Sequence, residues 1–196
     1  STLSNKFIFC SLPALCRAKV NLNISMYQRL LTIIENLGTP KVLLVGDFML
    51  DHYLMGNIDR ISPEAPVAIL NVCDRQEQPG GAGSVAVDLA TLDVEVRCVG
   101  VVGDDRHGRV LLQALKQFPT VNVDYMVVDP TRPTTSKQRI VGLAQHRHRQ
   151  QLMRIDEEDT SPINSEIQAR LMQCFIEGLQ WCDVVCLEDY NKGVLH

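Results

Sequence analysis

Two continuous runs of apolar residues do most to limit the folds open to this chain. "KVLLVGD" at residues 41–47 and "CDVVCLED" at residues 182–189 show no alternation of apolar and polar side chains. Such runs are typical of strands that are buried on both faces of a parallel sheet. Parallel strands need long crossover connections, usually helices, so the two runs predict an α/β fold.

The segments between these runs supply the other elements. "VEVRCVGVVGDD" at 94–105 continues the series of buried strands, and helical periodicity follows it from Val110 to Phe118. Ser161-Pro162 predicts the N-cap and first turn of another helix. Its apolar stripe steps by about four residues through Ile163, Ile167, Leu171, Phe175 and Leu179.

Two more helices are predicted from apolar spacing. Over residues 27–37 the apolar positions recur at i, i+3, i+4 and i+7, through Leu30, Ile33, Ile34 and Leu37, and Gly38 follows as a stop. After the glycines near residue 80, Val85, Leu89 and Leu92 define one helical face, and alanines at a spacing of four define a second, close-packing face.

The remaining strand patterns are shorter and mixed in polarity. "HYLMGNIDRI" and "VAILNVCD", within about 52–72, predict two exposed edge strands outside the main sheet. "TSKQRIVGLAQ" and "QQLMRIDEE" predict a hairpin around "HRHR" at 146–149. Two histidines at i, i+2 with no third ligand nearby favour an exposed hairpin tip over a metal site.

Composition excludes several classes of function. The net charge of −4 argues against a general nucleic-acid or anionic-membrane binder, and no apolar run reaches the roughly 18 residues of a membrane span. Seven irregularly spaced cysteines without C-x-x-C predict reduced thiols in a cytoplasmic protein, with Cys182 and Cys186 in the core. Residues 1–25 are expected to be a non-native or disordered extension ahead of Met26.

The stretch "QPGGAGSVAVDLA" matches G-x-G-x-x-A, the fingerprint of dinucleotide-binding folds. That fingerprint needs a buried strand leading directly into the glycines, whereas "CDRQEQP" here is polar and ends in proline. We therefore favour a small-ligand site at the helix N-terminus, with backbone N–H groups as donors. An NAD site, and glycines that merely permit close packing, stay open as alternatives.

Two carboxylates flank the end of the first buried strand, at Asp47 and Asp51. Ligands of open α/β sheets bind outside the carboxyl ends of the strands. A carboxylate there suits the vicinal hydroxyls of a sugar, because it accepts two hydrogen bonds. The alternative for each residue is that it only caps a turn.

Five blocks in this order, "GDFMLDHY", "GNIDRISPEAPVAIL", "QPGGAGSVAVDLA", "VGVVGDD" and "EDYNKGVL", resemble the PfkB/ribokinase family of carbohydrate kinases. Within that family they look most like the kinases of heptose 7-phosphate, from about residue 41 to the end. The resemblance implies a ribokinase-like three-layer α/β/α sheet over residues 26–196, truncated at its C-terminal side, with a small β lid.

The resemblance also implies residue roles around the sugar. Asp51 matches the aspartate that binds sugar hydroxyls, and Gly80 and Gly81 match the glycines that let the backbone close on the sugar. Ser84 stands where most relatives carry asparagine, a longer side chain that also touches the sugar. Asp47 is the other candidate for substrate binding.

Further candidates lie on the later strands. In "TTSKQRI", Lys137 and Arg139 share one strand face and suit the phosphate of a sugar phosphate, unless that face is merely solvated. The resemblance puts Asp189 and Lys192 near the phosphoryl-transfer zone. Arg154 is a weaker candidate, because it could simply pair with Glu157 or Glu158.

The function implied by the resemblance is ATP-dependent phosphorylation of the O1 hydroxyl of a heptose 7-phosphate, in ADP-heptose supply for lipopolysaccharide. The resemblance also implies a homodimer through the lid. A kinase of another sugar or sugar phosphate, and a non-catalytic sugar-phosphate-binding module, are the alternatives.

The catalytic base is not assigned to any residue of this chain. The family's G-A-G-D and N-x-x-E blocks, which serve the base, ATP and Mg²⁺, do not occur in residues 1–196. The resemblance therefore implies that the base and the main ATP and Mg²⁺ sites lie beyond His196. The chain is expected to be inactive alone.

Overall fold

The computed structural model describes residues 8–11, 26–143 and 149–195, and they form two sheets. The main sheet has the strand order β1-β10-β2-β5-β6, with β7 also paired to β5. Every pairing in it is parallel except that of β1 with β10, so the predicted α/β fold is confirmed. Its strands are β1 (Ile8–Ser11), β2 (Lys41–Gly46), β5 (Glu95–Gly103), β6 (Val121–Asn122), β7 (Met126–Asp129) and β10 (Val184–Glu188).

Helices cover both faces of the main sheet. The described helices are α1 (Met26–Glu35), α2 (Ala82–Thr91), α3 (Arg106–Leu115) and α4 (Ser165–Leu179). Leu44 faces the core shared with α2 and α3, whereas its neighbour Leu43 faces the core shared with α4. This alternation along a continuously apolar strand produces the three layers.

The second sheet has the order β4-β3-β8-β9 and contains the two strands that were expected within about 52–72. Strands β3 and β8 are parallel, and the other two pairings are antiparallel. The prediction of two edge strands was wrong for β3, because β8 pairs along it and its first residues are buried in the core. Its strands are β3 (Phe48–Ile61), β4 (Ala68–Gly81), β8 (Ser136–Leu143) and β9 (Gln150–Glu157).

Three helical details differ from the sequence-based expectation. The N-cap of α4 is Asn164, whose side chain accepts from the Ile167 amide at 2.9 Å, and not Ser161. In α2 the alanine face is the buried one, while Leu92 is 73% exposed. Helix α1 forms as predicted, but none of its side chains is buried, so its apolar stripe packs on no described part of the core.

The rest of the polypeptide agrees with the coarse sequence pattern. Strands β8 and β9 pair as the predicted hairpin, although residues 144–148, most of its tip, lie outside the described residues. Of residues 1–25, the structure describes only strand β1. None of the helices over the described ranges is long and apolar enough to cross a membrane.

The end of the chain carries one further expectation from the sequence. His196 lies outside the described residues, which end at residue 195. The family resemblance puts the catalytic base beyond His196, so the described residues do not test this expectation. The location of the base stays a prediction.

Candidate functional site

The paired glycines lie where β4 turns into α2. Gly81 is the N-cap of α2 with a φ of 55°, and the Ala82 amide donates to the backbone carbonyl of Asp47 at 3.0 Å. A Cβ on Gly81 would lie 2.6 Å from that carbonyl, and one on Gly80 would lie 2.8 Å from Oδ2 of Asp51. The glycines therefore leave room for both aspartates. The strand that enters α2 is β4, an exposed strand of the second sheet, which is not the arrangement of a dinucleotide fingerprint.

Asp47 holds the loop that follows β10. Its carboxylate accepts hydrogen bonds from the amides of Tyr190 at 2.8 Å and Lys192 at 3.1 Å, both on Oδ2. Oδ1 is buried and has no hydrogen-bond partner among the described residues. Burial raises the pKa of Asp47, and the two amides offset this only in part. The arrangement gives Asp47 a turn-holding role, with one oxygen left for a donor.

Asp51 lies on β3, between β4 and β8. Its register partners are Gln78 on β4 and Lys137 on β8, so the three side chains share one face of the second sheet. Oδ1 of Asp51 forms an ion pair with Nη1 of Arg139 at 2.7 Å, although the N–H direction departs from that of a hydrogen bond. Gly80, which has no side chain, leaves room beside it for this carboxylate.

Cationic side chains gather next to this pair. Lys192 pairs with Glu158 at 2.8 Å. Arg154 makes two hydrogen bonds to Asp156, so it does not pair with Glu157 or Glu158 in the way its position in the sequence allowed.

Lys137 differs from these cations because no carboxylate of the described residues lies within ion-pair distance of its ammonium. Burial, together with the nearby Lys192 and Arg154, lowers its pKa. Its ammonium lies 5.9 Å from the ring centre of Tyr190. An anion bound there would relieve the repulsion between the cations.

The side chains of Ser84 and Asp189 are both engaged in local hydrogen bonds. The Ser84 hydroxyl donates to the carbonyl of Gly81 at 2.7 Å, inside its own helical turn. Asp189 accepts from the amide of Asn191 at 2.8 Å and shapes the turn after β10. The structure thus brings Asp47, Asp51, Gly80, Gly81, Lys137, Arg139 and Lys192 into one region, with Ser84 at its margin and Asp189 in its loop.

Two residues of this region, Glu188 and Tyr190, were not predicted from the sequence. Glu188 ends β10 and is 5% exposed, and burial raises its pKa. Tyr190 contributes an amide to Asp47 and a ring to Lys137. The signal for Glu188 was available, because a carboxylate at the carboxyl end of a buried strand is close to the pattern that identified Asp47.

The fit to a metal ion can be tested on the same geometry. Across the described ranges, no three histidine, cysteine or acidic side chains converge as ligands. The described residues of this region therefore form no all-protein cage for a metal ion, whereas Mg²⁺ is more often held by one or two carboxylates together with substrate phosphates and water.

Comparison with known proteins gives a consistent result. The sequence pattern of the family described as "pfkB family carbohydrate kinase" matches residues 39–173. The chain is 43% identical over 155 residues to the bifunctional protein HldE of Helicobacter pylori strain P12, covering 79% of this chain and 32% of that protein. With HldE of Helicobacter hepaticus it shares 40% identity over 158 residues, covering 81% and 32%. The chain thus spans about a third of these relatives.

Solved structures support the fold. A carbohydrate kinase from Agrobacterium tumefaciens superposes with a TM-score of 0.56 at 23% identity, over 75% of this chain and 44% of that one. A possible 1-phosphofructokinase from Thermotoga maritima gives 0.55 at 18% identity, over 74% and 43%. The overall α/β fold is thus shared with both.

Proposed function

Because this chain belongs to the pfkB family of carbohydrate kinases, we propose that it forms the sugar-binding part of a kinase whose substrate is a sugar phosphate. The observation that carries the proposal is the juxtaposition of Asp51 with Lys137 across β3 and β8. A carboxylate accepts hydrogen bonds from sugar hydroxyls, and an ammonium without an acidic partner attracts a phosphate. Both groups face the same side of the second sheet.

The specific substrate we propose is a heptose 7-phosphate, phosphorylated at its O1 hydroxyl on the route to ADP-heptose. The similarity to HldE over 79% of the chain supports this choice. In it, Asp51 binds hydroxyls of the heptose, Gly80 and Gly81 let the backbone approach the sugar, and Lys137 binds the 7-phosphate. Arg139 orients Asp51 through their ion pair.

ATP is the proposed phosphoryl donor, and it supplies the transferred group when bound. We assign to Asp189 and Lys192 places near the transferred phosphoryl, where a lysine stabilises anionic oxygens. The reaction would take place in the cytoplasm. Five cysteines are free thiols, which suits a reducing compartment: Cys73, Cys98, Cys174, Cys182 and Cys186.

Titration of the purified chain tests the substrate class. Heptose 7-phosphate should raise the midpoint of thermal unfolding and give a measurable heat of binding, whereas the free heptose and NAD should not. Lys137→Gln should weaken binding at least tenfold, and Lys116→Gln, on the exposed end of α3, should not change it. Equal binding of the phosphorylated and free sugars would contradict the role of Lys137.

A kinase of a different sugar phosphate is favoured by one observation. The Ser84 hydroxyl is engaged with Gly81, so it does not replace the sugar contact of a longer amide side chain. Titration with other hexose and heptose phosphates, in wild type and Ser84→Asn, separates the two. If the variant gains affinity for heptose 7-phosphate while the wild type prefers another sugar phosphate, this second function is correct.

We also propose that the second sheet joins two copies of the protein. Strand β9 and the region of the turn between β3 and β4 expose large apolar side chains, which an interface between two copies would remove from water. They are Ile61, Val67, Leu152, Met153 and Ile155. Analytical ultracentrifugation should find a dimer in the wild type and a monomer in Met153→Asp/Ile155→Asp, and a monomeric wild type would contradict the proposal.

A further inference from the structure

One buried arginine outside the predicted site reaches the loop that holds Asp47. The Arg132 side chain is only 8% exposed. Its Nη2 contacts three backbone carbonyls, those of Asp159 at 2.6 Å, Ser161 at 3.2 Å and Lys192 at 3.1 Å. The closest carboxylate oxygen of an ion pair is on Asp159, at 3.9 Å. Its main partners are therefore carbonyls of two separate loops.

Arg132 is itself fixed to the main sheet. Two residues later, the Thr134 amide donates to the carboxylate of Asp105 at 2.7 Å, and the Thr134 hydroxyl accepts from the amide of Gly103 at 2.8 Å. Gly103 ends β5 and Asp105 caps α3. The guanidinium thus extends from a rigid part of the protein, which lets it define the position of what it binds.

The loop it binds carries the donors to Asp47. Lys192 offers its carbonyl to Arg132 and its amide to Asp47, and Tyr190 donates a second amide. Gly193, in the same loop, packs closely against the Ser161 carbonyl. Its φ is 82°, and a Cβ there would lie only 2.0 Å from that carbonyl oxygen. The loops at 159–161 and 189–193 therefore meet at Arg132.

We propose that Arg132 is a positioning residue: it holds residues 189–193 so that the amides of Tyr190 and Lys192 meet Asp47 and the candidate site stays formed. This inference rests on the proposed sugar-phosphate site, because it gives Arg132 no contact with the substrate. All three carbonyls are contacted by the one nitrogen Nη2, so the ammonium of a lysine can replace these contacts in part, but on a stem of different length and shape.

Amide hydrogen exchange on the purified chain tests the positioning directly. In Arg132→Met, exchange at Tyr190 and Lys192 should accelerate at least tenfold, while the amides of Leu43 and Leu44 in β2 keep their wild-type rates. Arg132→Lys should restore part of the protection. Arg109→Met is the matched control, because within the described ranges that exposed arginine pairs only with Asp104. Unchanged exchange at both loop amides in Arg132→Met would overturn the inference.

Titration with heptose 7-phosphate links the loop to the site. Affinity should fall about tenfold in Arg132→Met and less in Arg132→Lys, with Arg109→Met unchanged. Faster loop exchange with undiminished affinity also overturns the inference, because the loop would then not matter to the ligand. If the wild type binds no sugar phosphate, the proposed function fails, while hydrogen exchange still reports whether Arg132 fixes the loop. Should Arg132→Met not fold, the same comparisons are made with Arg132→Lys.

Discussion

Strand β2 of the main sheet and strand β9 of the second sheet represent opposite extremes of this molecule. Five of the six residues of β2 are buried, whereas all eight residues of β9 are exposed, so removal of an apolar side chain has different consequences in the two. The main sheet has helices on both of its faces, and the second sheet carries polar and charged side chains on its strands.

The two sheets contribute to the candidate site in different ways. Hydrophobic burial in the main sheet fixes the positions of Asp47 and Glu188, which follow or end buried strands. The register of β3 and β8 in the second sheet then places Asp51, Lys137 and Arg139 in the same region as Asp47. The candidate site depends on both, because it lies where the chain leaves β2 of the main sheet and enters β3 of the second sheet.

The largest expected effect compares one leucine in each sheet. Leu44→Ala, at a fully buried position, should lower the free energy of unfolding by about 2–5 kcal/mol, since it leaves a cavity in the core. Leu152→Ala, at a position 46% exposed on β9, should lower it by less than about 1 kcal/mol. Urea denaturation followed by circular dichroism measures both. Equal losses would mean that the two sheets share one core.

A pair of glycines sharpens the comparison at the junction of the sheets. Gly81 and Gly38 both have positive φ, but a Cβ meets close neighbours only at Gly81. Gly38→Ala should therefore lower the free energy of unfolding by about 1–2 kcal/mol from backbone strain alone. Gly81→Ala should lower it further, because the carbonyl of Asp47 and the side chain of Met49 must also move. The same urea denaturation measures the free energy of unfolding of both variants. Identical losses would show that the backbone around Gly81 makes room for a Cβ at little cost.

Sequence patterns predicted the main sheet well, for a physical reason. The continuous runs at 41–47 and 182–189 are long enough and apolar enough to allow little besides buried strands, and their parallel pairing is confirmed. The helix boundaries were less predictable, since Asn164 and Ser161 are both competent N-caps. In the structure Ser161 lies in the loop, where its carbonyl contacts Arg132 and its amide and hydroxyl donate to Asp159.

The second sheet was harder to predict from the sequence. The strands around residues 52–72 were expected, but polar alternation does not reveal that β3 pairs with β8 and is an inner strand. The individual site residues were identifiable, whereas their pairings were not: Arg139 with Asp51 and Arg154 with Asp156 depend on register. Arg132 was missed because its role consists of carbonyl contacts that no spacing encodes.

A smaller effect is expected at Ser84, on the margin of the junction. Its one hydrogen bond, to the Gly81 carbonyl, is exposed and lies within one helical turn. Ser84→Ala should lower the free energy of unfolding by about 0.5–1 kcal/mol, the usual net value of such a bond. Differential scanning calorimetry can resolve this against Thr91→Ala, which removes a similar hydroxyl bond to Asp88 at the far end of α2. A loss well above the control would indicate that the hydroxyl also fixes the glycine turn.

The other face of the second sheet carries a histidine cluster against α3. Nδ1 of His52 on β3 lies 3.2 Å from the Glu77 carboxylate on β4, which also pairs with Arg106 of α3 at 2.9 Å. The His52 ring meets that of His107 edge-on, with centroids 4.7 Å apart, beside a cavity of about 250 Å³. His107 in turn faces Glu157 of β9 at 3.6 Å. These contacts join the second sheet to α3.

The smallest effect is a pH dependence of stability that arises from this cluster. Burial, with His107 and Arg106 nearby, lowers the pKa of His52 more than Glu77 raises it, so the folded protein favours the neutral imidazole. The unfolded chain then binds more protons between the lowered pKa and the ordinary value of about 6.5. The contribution of His52 to stability is therefore complete above about pH 6.5 and is lost as the pH falls below it.

Urea titrations between pH 5 and 7.5 measure how the free energy of unfolding declines as the pH falls. The decline should be smaller in His52→Gln than in the wild type, and the decline in Lys116→Gln should equal that of the wild type. An identical decline in all three proteins would mean that His52 is as easily protonated in the folded state as in the unfolded one. Water would then reach His52 as readily as it reaches the exposed residues of β9.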